Sequence, residues 1–346
     1  MEKKKKPLVC VCIPAYNAEP TIGKTLESLV NQSYSNIDII IVDNNSSDKT
    51  AEIVNCFIRK HDNIKLIRYN KTVPSYENFD RCIEHCYGKY TCIFHSDDKY
   101  GFDIIEREVA FLEEHEDAGA VFSFANIINE NDKIISKFNI ATELYERDTF
   151  SYQELFPIIL KYGGCFVTPS AMVRTKVYKN DIKKHQINKR FGPAFDVDVW
   201  IRILQNHRVG FIKKELMYYR MSTSSVSFRS LLEYKNTIEE CMLEVLKFHW
   251  NDFDRSHYDF CFFNNLVCKV KLDNFFKAYV NGDWQYAREL LLSIDKSRVS
   301  FKYKRKIIRY NILLLFKMPV CFRKMMIKKK FRGVLKNNYI DLDFLK

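Results

Sequence analysis

Four short apolar runs separated by segments of helical spacing constrain this chain more than any other feature. Leu8 to Ile13, Ile37 to Val42, Ile64 to Tyr69 and Tyr90 to Phe94 are rich in β-branched residues and nearly continuous in hydrophobicity, the pattern of strands buried on both faces. Between them, Thr21 to Val30, Lys49 to Ile58 and Tyr76 to Cys86 place apolar residues three and four apart, as amphipathic helices do. Regular βαβα alternation implies an α/β fold with a mostly parallel sheet covered by helices, because each parallel connection must cross over a face. Ligands of such sheets bind outside the carboxyl ends of the strands.

Three of those ends carry polar punctuation. Pro14, Ala15, Tyr16 and Asn17 follow the first strand; Asp43, Asn44, Asn45, Ser46, Ser47 and Asp48 follow the second; Ser96, Asp97 and Asp98 follow the fourth. Tyr16 offers a flat face on which a nucleobase can stack, and Asp43 a carboxylate that can accept a hydrogen bond from a base or sugar edge. Adjacent Asp97 and Asp98 supply hard oxygen ligands with which a divalent cation can be held against a diphosphate. The same pair could instead cap the helix that begins near Asp103, and Asp48 can cap the helix after it. His95, a lone histidine, reads as filler. Neither GxGxxG nor a Walker sequence is present, which argues against dehydrogenase and ATPase chemistry.

Beyond Ala118 the pattern becomes irregular, with a strand over Ala120 to Ile128, a helix over Tyr152 to Lys161, and a strand around Ala171 to Arg174. After Ser230 the spacing is helical almost throughout. A hydrophobic content of 47% supports a substantial core and excludes a disordered chain. The eleven cysteines lack the paired spacing of a zinc site, so reduced thiols and a cytoplasmic location are expected. From Lys296 to Ile340 there are fifteen Lys and Arg and no Asp or Glu, so the net charge of +12 resides there and the rest of the chain carries −3. Ile307, Ile308, Ile312 to Phe316, Met325 to Ile327 and Phe331 interleave with those cations. A basic, apolar-faced helical tail reads as an anchor to an anionic membrane surface, or as a solvated face packed on the body. The longest apolar candidate for a bilayer span, Ile307 to Phe322, contains Arg309, Lys317 and Pro319 and is not expected to cross.

Cys12 to Glu19 with the helix after it, Ile41 to Thr50, and Gly88, Lys89, Tyr90 leading to Ser96, Asp97, Asp98 together resemble the family 2 glycosyltransferases. The resemblance implies a GT-A fold, a nucleotide-sugar donor, Mg²⁺ or Mn²⁺, and inversion at the anomeric carbon. It is strongest over residues 8–110 and extends to about 228, dividing the chain into a catalytic domain, 1–228, and a helical C-terminal region, 229–346. Carried onto matching positions, it implies that Pro14 and Tyr16 line the base pocket, Asp43 reads a uracil-type imide, Asp97 meets the ribose or a nearby donor group, and Asp98 ligates the metal. Pro193 to Arg202 resembles the helix that bears the catalytic base. Phe195 stands where the family has Glu, and Asp196 matches the base. Asp196 and Asp198, two residues apart at a helix start, cannot both face one way, so only one of them is expected to reach the acceptor. Leu216 to Ser222 resembles a block that closes over the diphosphate, with Arg220 as its phosphate ligand and Ser222 where many relatives have His. Gly163, Gly164, Cys165, Thr168, Pro169 and Ser170 fall at the acceptor-side loop.

The expected function is therefore transfer of a sugar, from a UDP-sugar, to a lipid-linked saccharide at the inner face of a cell membrane in bacterial surface polysaccharide assembly. Two other readings stay open. A nucleotidyltransferase acting on sugar phosphates would use a similar sheet and metal, although no Gly-rich basic loop follows the first strand. A nucleic-acid-binding protein would account for the basic tail but not for the acidic strand ends, so no nucleic-acid partner is expected.

Overall fold

The computed structural model describes residues 6–182, 187, 189–221, 233–250, 253, 261–315 and 325. These form two compact units. The first comprises residues up to 128, 136–156 and 165–220; the second comprises 129–135, 157–164 and 221 onward. The expected boundary at 228 lies outside the described residues, as does Ser222.

The first unit opens with the alternating segments: β1 (Val9–Ala15), α1 (Ile22–Val30), β2 (Ile37–Asp43), α2 (Thr50–Ile58), β3 (Ile64–Arg68), α3 (Ser75–His85) and β4 (Tyr90–Ile93). Next come β5 (Lys99–Tyr100), α4 (Ile104–Glu114), β6 (Ala118–Ile128), β7 (Ile134–Lys137), β8 (Thr149–Phe150) and α5 (Tyr152–Tyr162), of which β7 up to residue 135 and α5 from residue 157 belong to the second unit. β9 (Met172–Arg174), the single turn α6 (Thr175–Val177), α7 (Phe195–Asn206) and β10 (Arg208–Arg220) complete the series. The sheet runs β3-β2-β1-β4-β9-β6-β10-β5. Its first four strands are parallel, as the alternation requires, whereas β9 lies antiparallel between β4 and β6, so the second half is mixed.

β1 sits between β2 and β4, with Ala15 opposite Asp43 and Cys12 opposite Ile93. The strand order reverses there, which leaves a crevice outside the carboxyl ends of β1, β2 and β4. Val9, Val11 and Ile13 are fully buried, together with Ile39 and Ile41 of β2, Leu26 of α1 and Phe94 after β4. Cys10 and Cys12 are also fully buried, and the ten described cysteines are free thiols. Gly88, with φ +79°, turns the chain into β4 where a Cβ would meet the Leu8 carbonyl oxygen at 2.7 Å, so only glycine fits.

The second unit contains α8 (Ile238–His249), α9 (Cys261–Asn281), α10 (Trp284–Leu292) and α11 (Phe301–Leu314). Thr237 and Glu240 form a reciprocal capping box at the start of α8, and Asn274 of α9 donates to both side chains. Leu272, Phe275, Ala278 and Tyr279 of α9 pack with Leu290 and Leu291 of α10 and Ile307 of α11. Among the described residues no helix is long and apolar enough to cross a membrane.

Candidate active site

The turn after β4 is held rigidly by groups from three elements. Thr25 Oγ1 of α1 lies 3.0 Å from the Ser96 carbonyl oxygen and 2.8 Å from that of Asp98. Tyr100 stacks on Phe94 with centroids 3.9 Å apart, and its hydroxyl accepts the His95 N–H at 2.8 Å. From the end of β10, the Arg220 N–H donates to Asp98 Oδ1 at 2.7 Å and its Nε to the Asp97 carbonyl oxygen at 2.7 Å. The two aspartates thus have a structural setting other than capping: α4 starts after Asp103, without a side-chain cap bond there.

Asp98 Oδ2 is buried and has no hydrogen-bond partner among the described residues; the His95 imidazole Nδ1 lies 3.8 Å from the carboxylate. One ligand atom each from His95, Asp97 and Asp98 lies within 4.8 Å of the others. Burial pushes the Asp98 carboxyl well above the usual carboxylate range, the Asp97 charge adds to this, and Arg220 opposes it. Burial likewise lowers the His95 pKa, against the pull of Asp97 and Asp196. An orphaned buried carboxylate oxygen beside a second carboxylate and an imidazole fits a hard divalent cation of the Mg²⁺ or Mn²⁺ type. His95, which carries no periodic or motif signal in the sequence, is therefore part of the cluster and not filler.

The loops after β1 and β2 are stitched into one wall. Asn17, at φ 47°, receives the Ser47 N–H on its Oδ1 and donates its own N–H to Ser46 Oγ, both at 2.9 Å. Ala18 N–H reaches Thr50 Oγ1, and Glu19 N–H reaches Asp48 Oδ2. Asp48 also accepts the Thr50 N–H, so it serves the start of α2 as expected. Asp43 is completely buried: Oδ1 accepts the Ser46 N–H and hydroxyl, and Oδ2 lies 3.1 Å from Arg68 Nε. Arg68, unremarked in the sequence, is thus the counter-ion at this strand end. Pro14 is partly buried, and Tyr16 is 53% exposed, its ring available for stacking. Asn78 donates to the Val42 carbonyl oxygen, supporting β2 from behind.

Asp196 lies in the first turn of α7. Its Oδ1 accepts the Val197 N–H at 2.9 Å and its Oδ2 accepts the Thr168 hydroxyl at 2.6 Å. Thr168 Oγ1 in turn accepts Trp200 Nε1–H at 3.0 Å, and Trp200 is locked edge-on against Phe122. Burial raises the Asp196 pKa, while Thr168, Val197 N–H and His95 hold the rise in check. Asp198 points elsewhere, pairing with Arg202 at 2.9 Å while nearly fully buried. Asp196 is thus a buried carboxylate with a raised pKa whose orientation is held by the Thr168 hydroxyl.

The family described as glycosyl transferase family 2 matches residues 10–181, from the second residue of β1 through β9, with both acidic strand ends. The chain belongs to that family. It is a glycosyltransferase with a GT-A type fold. A family relative, WfaP of Escherichia coli, a UDP-Glc:alpha-D-GlcNAc-diphosphoundecaprenol beta-1,3-glucosyltransferase, is 28% identical over 238 residues, 67% of this chain and 86% of that one. Among solved structures, Staphylococcus aureus TarS 1-349 in complex with UDP-GlcNAc superposes with a TM-score of 0.53 at 16% identity, covering 82% of this chain and 88% of that 1-349 chain. The mannosyltransferase PcManGT of Pyrobaculum calidifontis, in complex with GDP-Man and Mn²⁺, gives a TM-score of 0.55 at 15% identity over 96% of this chain and 88% of that one. Both likenesses concern the fold.

Proposed function

We propose that the protein is an inverting, metal-dependent glycosyltransferase that moves a sugar from a UDP-sugar to a lipid-linked saccharide in bacterial surface polysaccharide biosynthesis, working peripherally at the inner face of the membrane. The observation that carries this reading is the cluster after β4, where one ligand atom each of His95, Asp97 and Asp98 lies within 4.8 Å of the others and the buried Asp98 Oδ2 has no hydrogen-bond partner among the described residues. WfaP, by its name, acts on an undecaprenol-linked acceptor with a UDP-sugar, which favours the same class of donor and acceptor here. The PcManGT complex, with its Mn²⁺, favours the metal.

In this proposal the nucleobase rests against Tyr16 and Pro14 with Asp43 reading its imide edge, while Asp97 meets the ribose or a nearby donor group. Asp98, flanked by Asp97 and His95, would hold a divalent cation whose positive charge stabilises the leaving diphosphate. The Arg220 guanidinium, anchored on the Asp97 carbonyl, adds fixed positive charge on the same side. Asp196 takes the proton of the acceptor hydroxyl as its oxygen bonds to the anomeric carbon and the bond to the diphosphate oxygen breaks. Thr168 keeps the accepting carboxylate in one orientation, so that the base acts on charge developing in the transition state. Displacement from the face opposite the diphosphate inverts the anomeric centre.

Turnover of UDP-, GDP- and dTDP-sugars, with and without Mn²⁺ or Mg²⁺, tests this reading. Metal-dependent release of UDP that disappears in Asp98→Ala supports it. Turnover of all donors without metal, or none with any donor, defeats it.

A further inference from the structure

Helix α11 has two apolar faces, and the fold uses one. Tyr303, Ile307, Tyr310 and Leu314 pack into the core of the second unit. Around the helix from them, Phe301, Ile308, Ile312 and the following Leu315 are 74%, 60%, 53% and 78% exposed. Their spacing of seven, four and three residues sets all four within about 60° at 100° per residue, so they form one stripe. Burying these side chains contributes nothing to the packing of the unit. An aligned apolar stripe facing solvent marks a surface with a partner.

The flanks identify the chemistry of that partner. Lys302, Arg305 and Arg309 run along one side of the stripe and Lys304 along the other, all exposed. Between Lys296 and Leu315 there are seven Lys and Arg and no acidic residue. Arg305 leans over the Phe301 ring, 5.9 Å from its centroid, lying along the apolar surface with its charge at the edge. A stripe that needs apolar contact, bordered by cations that need phosphate, matches the acyl boundary and headgroups of an anionic bilayer. Nucleic acid would satisfy the cations but leave the stripe wet.

We infer that α11 lies in the plane of an anionic membrane, with Phe301, Ile308, Ile312 and Leu315 inserted and Lys302, Lys304, Arg305 and Arg309 on the headgroups. This rests on the membrane reading above and specifies the surface that makes the contact.

Sedimentation of the full chain with phosphatidylcholine vesicles, and with vesicles containing about 30% phosphatidylglycerol, tests it. The parent should sediment with the anionic vesicles. Phe301→Ser with Leu315→Ser should weaken that binding at least tenfold. Arg305→Gln with Arg309→Gln should weaken it about twenty-five-fold, since each cation near such a surface contributes about fivefold. Equal binding to both vesicle types, or unchanged binding of either double variant, overturns the inference. So does a melting-temperature loss in the Phe301, Leu315 variant as large as that of the core variant Ile307→Ser, which would show that the stripe packs on the chain itself. Nucleotide-sugar turnover in lipid-free buffer is read in parallel: its absence in the parent defeats the transferase reading and leaves the vesicle result standing.

Discussion

Replacing Thr168 with valine removes one hydroxyl and keeps the shape of the side chain, yet it should impair the site in three measurable ways. The hydroxyl donates to Asp196 Oδ2 at 2.6 Å and accepts from Trp200 Nε1 at 3.0 Å. A hydrogen bond to a charged group contributes about 1.5–3 kcal/mol, and it favours the ionised carboxylate. Its loss should therefore raise the Asp196 pKa further. The sign follows from the role: the base works deprotonated, its pKa is already raised by burial, and a further rise moves the acid limb of kcat/KM to higher pH. Loss of orientation should also lower kcat at the pH optimum by about tenfold or more, within the range of general-base effects. The indole N–H of the nearly fully buried Trp200 loses its acceptor, which should cost about 1–3 kcal/mol of stability. Thr168→Ser keeps the hydroxyl and should restore the acid limb. The assay is the pH profile of kcat/KM for parent, valine and serine variants at saturating Mn²⁺. A valine variant with the parent's acid limb and kcat within twofold would refute the assignment of Thr168 as the residue that positions the base.

Asp196→Asn should leave donor KM near the parent's value and reduce kcat about a hundredfold or more, whereas full activity would remove it as the base. Asp198→Asn should act through the fold, because it leaves Arg202 partly buried beside a neutral amide; a melting temperature equal to the parent's together with lost turnover would show that the wrong acid had been chosen. Glu108 is fully buried with neither carboxylate oxygen hydrogen-bonded among the described residues, and burial pushes its pKa well above 4.5. The native state therefore holds a proton that the unfolded chain releases, and stability from this residue falls as pH rises through the ordinary Glu range. Glu108→Gln should accordingly gain melting temperature over the parent as pH is raised from 5 to 8, and a pH-independent difference would contradict this.

The parallel half of the sheet was legible because β1 to β4 are buried on both faces and read as continuous apolar runs. β10 was not, although it is thirteen residues long and ends at Arg220. Its sequence interrupts the apolar pattern with Lys213 and Lys214, at the place where its register with β6 shifts between Ile212 and Glu215. A bulge breaks the two-residue period on which strand recognition depends. The acidic strand ends and Asp196 were legible through motif resemblance. The neighbours that give them their chemistry were not: Thr168, Asp196 and Trp200 form a single hydrogen-bonded chain across 32 residues of sequence, and Thr25 reaches the Asp98 turn from α1. Contacts of that kind depend on how the helices cross the sheet, which the local pattern of residues does not encode.

Calorimetric titration of UDP into the parent and into Asp98→Ala, each with and without Mn²⁺, tests the central claim most directly. UDP binding in the parent should strengthen at least tenfold with Mn²⁺, and the variant should bind UDP weakly and equally under both conditions. Identical Mn²⁺ dependence in parent and Asp98→Ala, or UDP affinity indifferent to the metal in the parent, would contradict it.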